Sequence, residues 1–338
     1  MSIRGIATAL FLPFLFLSPA IAADPALVDA ARKEGRVMWY TGLLAEEAAI
    51  PIARAFMAKY PGIEVQHNRM VGAEIGKTVI AEAKAGVQIG DVFDSTNTVV
   101  SLSPAGMIEP YVSPSAADIP DIYKDKNGLW AAQVLYFTTA GYNTKLVSAS
   151  DAPKTFEDLL DPKWKGKLGW SSTGTASGVG FVGNVLLTMG EPAGREYLKK
   201  LSAQQVRTIK GGGAEALQAV ADGTIQIGLQ IFNHHTRIQK AKGGAVEWIK
   251  MEPLLAFPNP IGIIKGAPHP NAARLLIDFV LSEEGQRVLQ EANHIPASAK
   301  VEPPDATLKN GFKVNFLDPV LAERESAKWR SIVKELFE

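Results

Sequence analysis

The 338-residue chain has no cysteine. That absence excludes disulfide bonds, thiolate metal ligands and a cysteine nucleophile together. It has no charge surplus either, with 35 lysines and arginines against 35 aspartates and glutamates. Chains that grip nucleic acid or an anionic membrane surface carry a basic excess, so neither is expected as a partner. No G-x-S-x-G and no H-E-x-x-H occurs, which argues against two common hydrolytic mechanisms. Internal repeats and low-complexity tracts are also missing. Beyond the first residues, no apolar run approaches the length of a membrane span.

The N-terminus reads as a targeting segment. Arg4 supplies a short positive region, and Ala7–Leu17 (ATALFLPFLFL) is an apolar core too short to span a bilayer stably. Ala20-Ile21-Ala22 is an A-x-A cleavage site, so residues 1–22 are expected to be removed and the mature chain to start at Ala23. The mature chain is expected to be an exported, soluble monomer. A length of this order suits two lobes of roughly 150 residues.

Helix-period and alternating segments follow one another along the chain. A short helix over Ala26–Lys33 precedes a strand at Arg36–Thr41. A helix over Glu46–Tyr60, kinked or started late by Pro51, leads to a strand at Ile63–His67, a helix over Glu74–Ala85 and a strand at Asp91–Ser95. This order requires a mostly parallel sheet with right-handed crossovers. In the middle, a short helix at Thr155–Leu160 and a strand at Lys167–Trp170 precede the polar loop Ser171–Ser177 and an apolar helix from about Val179 to Met189. Helices at Arg195–Leu201 and Ala214–Ala221, and strands at Ile225–Gln230 and Val246–Ile249, follow. Leu255–Lys265 reads as a strand broken by Pro258 and Pro260. Pro270–Leu281 is the clearest helix, Ser282 caps the next one, and Glu302–Ala306 is a loop before a helix over Pro319–Leu336. Strands near Leu135–Tyr142 and Phe257–Ile264 would cross between the lobes as a two-strand hinge. Residues 23–135 with about 260–300 would form lobe 1, about 136–259 lobe 2, and 301–338 a C-terminal helical segment packing across both.

Ligands of open α/β sheets bind beyond the carboxyl ends of strands. Asn233, His234 and His235 sit there after the buried-looking run IQIGLQIF, either as hydrogen-bonding partners of an organic ligand, as metal ligands, or as a solvated helix start. Thr41 and Gly42 follow the first strand, Asn68 and Arg69 the second, Ser95 and Thr96 the third. The planar fork of Arg69 would suit a carboxylate or phosphate. Ser172, Thr173 and Thr175 precede a helix whose amino end could hold an anion, or could simply cap it. Tyr142, Trp170 and Trp248 read as structural, and His67, His269 and His294 as surface or capping residues.

Several stretches resemble the periplasmic solute-binding proteins of ABC importers, in the branch that holds the ferric-ion-binding and thiamine-binding proteins. They are Asp161–Gly169 (DPKWKGKLG), His269–Gln286 (HPNAARLLIDFVLSEEGQ), Leu217–Gly223 (LQAVADG), Gly141–Thr144 (GYNT) and Leu102–Pro110 (LSPAGMIEP). The resemblance runs from about Val37 to Glu291. It implies a two-lobed α/β "flytrap" fold of type II, each lobe a mixed, mostly parallel sheet flanked by helices. It also implies a carrier that delivers a solute to an inner-membrane permease and its ATPase, with no cofactor. Ferric-binding relatives place two tyrosines where this chain has His234-His235, and a glutamate that matches Glu74. Imidazole suits softer divalent ions better than Fe(III), a hard cation that prefers anionic oxygen. The expected solute is therefore a small organic anion or phosphate ester. Alternatives are a metal ion on Glu74, His234 and His235, thiamine or its phosphates, and, more remotely, a periplasmic enzyme.

Overall fold

The computed structural model describes residues 23–42, 44, 46–70, 72–174 and 177–338. The targeting segment and Thr175 lie outside the described residues. Helix α1 (Pro25–Glu34) leads into β1 (Arg36–Thr41), α2 (Glu46–Lys59), β2 (Glu64–Arg69), α3 (Gly72–Ala85), β3 (Val92–Asp94) and α4 (Thr96–Leu102). A short β4 (Ile108–Glu109) precedes the long β5 (Ala131–Asn143). The next stretch holds β6 (Leu168–Ser171), α5 (Gly178–Met189), α6 (Glu191–Ser202), β7 (Arg207–Ile209), α7 (Gly213–Ala221), β8 (Ile227–Phe232), α8 (Asn233–Ala241) and β9 (Val246–Trp248). The chain returns through β10 (Leu254–Ile264), α9 (Pro270–Leu281), α10 (Glu283–Glu291), β11 (Ile295–Pro296), β12 (Val314–Phe316) and α11 (Pro319–Phe337).

The main sheet path runs β2-β1-β3-β10-β5-β8-β6-β7. β1 pairs in parallel with β2 and β3, and β6 with β7 and β8. Both parallel sets meet the antiparallel pair β5–β10 at the centre. These two long strands therefore join the two parallel regions. Pro258 and Pro260 do not break β10. It runs through both: Pro258 keeps its register with Leu135, and a bulge at Asn259/Pro260 accommodates the second proline. The freed carbonyls serve the neighbouring strand's turn: Pro260 accepts the Ser95 N–H and Pro258 the Thr96 hydroxyl. The Thr155–Leu160 helix is a 3₁₀ turn at Glu157–Leu160, and Pro51 lies inside α2.

The core is built by strand alternation meeting helix stripes. Val37 and Trp39 of β1 are buried in one cluster with Ala48, Ile52 and Phe56 of α2. Tyr40 turns to the other face, with Ile75 and Val79 of α3 and Val99 of α4. The apolar stripe of α9 is wholly buried, and Phe279 meets Phe56 edge-on at 5.7 Å. Its amino end is held by the Glu34 carboxylate, which accepts from the backbone N–H groups of Asn271 and Ala272. Helix α11 packs against α5, α6 and α4, and so touches the flanks of both parallel regions. No described helix is long and apolar enough to cross a membrane.

Candidate functional site

The carboxyl ends of β1 and β3 are bound together by one carboxylate. Asp94 Oδ1 accepts the N–H groups of Gly42 at 2.8 Å and Leu44 at 3.4 Å. Gly42 is hemmed in by the Ser95 side chain and by Gly72, so no larger residue fits. Thr41 is fully buried, with a hydroxyl that has no hydrogen-bond partner, and lies in register beside the exposed Arg69. Ser95 opens α4 at φ 101°, a backbone region that residues with a side chain rarely occupy.

On the other side, Ser172 and Thr173 are exposed and both donate to the Gly211 carbonyl through their hydroxyls. The loop that holds them ends at Ser177, whose hydroxyl caps α5 by accepting the Val179 N–H. A cavity of about 480 Å³ opens here. Ser171–Gly174 and Ser177–Gly180 form one wall, Asn97 and Val100 of α4 a second, and Glu323, Ser326 and Arg330 of α11 with Glu338 a third. Sequence reading did not find the α11 wall, because nothing in a helix-period pattern says which loop the helix will lie against.

The two histidines behave differently from a solvated helix start. His234 is 2% exposed, its ring 5.5 Å from Tyr136 and 4.4 Å from His235. His294 was expected at the surface. It is 9% exposed instead, its ring 6.1 Å from His234 and 6.2 Å from Tyr136. The reason is its place just before β11, which pairs with β5 and brings it to the centre of the sheet. Burial, reinforced by the other imidazoles, holds His234 well below the ordinary histidine range. Burial likewise lowers His235 and His294 to about 4, with Glu47 of α2 opposing the shift in both. All three rings are thus neutral near pH 7. Burial raises the Tyr136 hydroxyl, and the nearby Asp94 carboxylate adds to that effect.

Asn233 is buried and donates through Nδ2 to the Leu308 carbonyl at 2.7 Å, an anchor for the C-terminal stretch. Glu74 is exposed in the first turn of α3. The structure does not gather it with His234 and His235, and among the described residues no three His, Asp or Glu side chains form a metal-binding group. His269 is half-buried at the far end of the same sheet, with Nδ1 against Asp91 at 2.9 Å and Nε2 accepting from Arg36. Tyr142 and Trp170 are buried, and Trp248 is partly buried against the core.

Known proteins share this architecture. The chain is 28% identical over 264 residues to a Salmonella typhimurium periplasmic protein provisionally assigned to 2-aminoethylphosphonate binding, covering 74% of each chain. It is 25% identical over 209 residues to iron uptake protein A2 of Synechocystis, a match that spans 56% of this chain and only 59% of that protein. The fold is similar to that of iron-bound HitA from Pseudomonas aeruginosa, with a TM-score of 0.73 at 23% identity, over 89% of this chain and 99% of that one. Residues 52–313 match the family model described as bacterial extracellular solute-binding protein. With most of its length inside that match, the chain belongs to the family of bacterial extracellular solute-binding proteins.

Proposed function

We propose that the chain captures a small organic anion or phosphate ester between two lobes in the periplasm and hands it to an ABC permease and its ATPase. The carrying observation is the 480 Å³ cavity, a volume suited to a small organic solute. Its wall of serine and threonine hydroxyls adjoins the amino end of α5, where backbone N–H groups and the helix dipole favour negative charge. Thr41, Gly42, Arg69, Ser95 and Thr96 would approach from lobe 1, and Ser172, Thr173 and Thr175 from lobe 2. The hinge in this reading is β5 with β10, between a lobe of residues 23–135 with about 260–300 and a lobe of about 136–259. Closure about such a pair is a known way to trap a solute. The chain acts as a carrier and performs no chemistry on its cargo.

Iron as cargo is disfavoured by the donor set. Neutral imidazoles stand at the positions of the ferric relatives' tyrosines, and among the described residues no three His, Asp or Glu side chains come together around a metal. Thermal unfolding of the chain from Ala23 against sugar phosphates, phosphonates, carboxylates, thiamine compounds and metal ions, with and without chelator, tests the reading. A solute at a hundred times its Kd stabilises by about 2.7 kcal/mol. A shift with an organic anion that survives chelator is the expected result. A shift only with a metal ion, or product formed from any bound compound, would replace the proposal.

A further inference from the structure

Around Tyr136, three side chains carry buried polar atoms without a hydrogen bond of normal geometry. Both amide atoms of Asn259 on β10 have no hydrogen bond of normal geometry, although the amide stands beside the Tyr136 hydroxyl. Nδ1 of His234 and Nδ1 of His294 are likewise unpartnered. Asn259 is 0%, His234 2% and His294 9% exposed. All three surround Tyr136. Asn259 lies on its face of the β5–β10 pair, where Tyr136 is in register with Phe257, and the two imidazole rings are within 6.2 Å of it. Buried amides and ring nitrogens are nearly always paired, and each unpaired one costs free energy. A cluster of them at the meeting point of α8, β10 and β11 calls for a partner that the chain does not supply.

We infer that Asn259, His234, His294 and Tyr136 form a neutral hydrogen-bonding subsite, and that the solute carries hydroxyl groups there as well as its anionic group. This rests on the proposed carrier function and narrows its substrate class to hydroxylated organic phosphates or phosphonates. The donor and acceptor inventory decides the class. Asn259 offers two donors and an acceptor, a neutral imidazole offers one of each, and the Tyr136 hydroxyl does both. A hydroxyl group can answer every one of them. A phosphate or carboxylate oxygen only accepts, and the Glu47 and Asp94 carboxylates oppose a second anion there, while Arg69, the cation that also acts on Tyr136, is the proposed partner of the anionic group. The segment Asp94–Asn97 connects the two regions: Asp94 acts on Tyr136, Thr96 bonds the carbonyl next to Asn259, and Asn97 lines the cavity. In this proposal the solute reaches the cluster along that segment.

The test is isothermal titration of the full mature chain and its Asn259→Leu and His294→Phe variants. The ligands are glycerol 3-phosphate, a hexose phosphate, an aminoalkylphosphonate and inorganic phosphate. The hydroxylated phosphates are expected to bind most tightly to the parent chain. Each variant is expected to lose about tenfold of that preference over inorganic phosphate, one neutral hydrogen bond's worth. Ligand-free thermal unfolding supplies the second readout. Replacing an unpartnered buried amide with an isosteric apolar group should raise the midpoint of Asn259→Leu by about 1–2 °C. A lowered midpoint with unchanged ligand preference would show that Asn259 is structural and overturn the inference. Tightest binding of the aminoalkylphosphonate would overturn the hydroxyl class while leaving the carrier reading intact. If no organic anion binds the parent chain, the carrier reading falls, and a raised Asn259→Leu midpoint would still report an unpartnered amide.

Discussion

The imidazole rings of His234 and His294 lie 6.1 Å apart, on elements that β8 and α8 deliver from one side and β11 from the other. Each ring keeps a buried Nδ1 without a partner. Two neutral imidazoles can share such a space, whereas a charged one would need a counter-ion closer than Glu47. This contact links stability, pH and cargo recognition in one cluster.

Acid should therefore destabilise the fold in a defined window. His235 and His294 stand at about 4, against 6.5 for an ordinary histidine, and His234 is lowered as well. Their folded values are depressed, so the unfolded chain takes up protons that the folded chain refuses. The stability they contribute is complete above 6.5 and is lost as the pH falls from there towards 4. Each such imidazole costs about 1.4 kcal/mol per pH unit inside that window. The midpoint of thermal unfolding should be level just above neutrality and fall below pH 6.5, less steeply in His294→Phe. A flat profile over the whole window would contradict a neutral cluster.

Ser95 should be a position that gains stability on losing its side chain. Its φ of 101° costs any residue with a Cβ on the order of 1 kcal/mol or more. Ser95→Gly is expected to raise unfolding free energy by about 1 kcal/mol, and Ser95→Ala to leave it unrelieved. Denaturant titration checks both.

Gly72→Ala should do the opposite. A Cβ there would come within 2.1 Å of the Ser95 hydroxyl oxygen. The expected loss is about 1–3 kcal/mol, smaller in a Ser95→Gly background, where the clashing atoms are gone. Equal losses in the two backgrounds would mean that the backbone shifts rather than the side chain.

Asn233→Ala separates an anchor from a ligand contact. Removing the amide leaves the Leu308 carbonyl buried without its donor, a cost of about 1–3 kcal/mol. The midpoint should fall while solute affinity, measured by titration well below that midpoint, changes little. A large affinity loss at unchanged stability would place Asn233 among the cargo contacts instead.

Arg69→Ala should weaken an anionic solute about tenfold, the scale of a charge-assisted hydrogen bond at an exposed site. The guanidinium is exposed at the end of β2, in register with Thr41. An unchanged Kd would remove Arg69 from the binding wall.

Much of the architecture was legible because it is local. The stripe Ala272, Leu275, Leu276, Phe279 fixes α9 at Pro270–Leu281, where the structure has it. The β-branched and aromatic bias of Arg36–Thr41 predicts β1 to the residue. The prolines of β10 misled, because a proline's missing donor breaks a strand only where that donor was needed, and the bulge at Asn259/Pro260 removes that need for the second proline.

The chain's own order of apolar and polar residues thus determined which segments are helices and strands. Through the carboxyl ends of those strands it also picked out Thr41, Arg69, Ser95 and His234 as site candidates. Only the tertiary structure decided which side chains share a neighbourhood: His294 beside His234, Asn233 turned to Leu308, and α11 walling the cavity with Arg330. Periodicity reports the face on which a residue lies. The element that face meets depends on contacts between chain-distant residues, and those contacts, through burial, set both the charge state of an imidazole and whether a buried amide finds a partner.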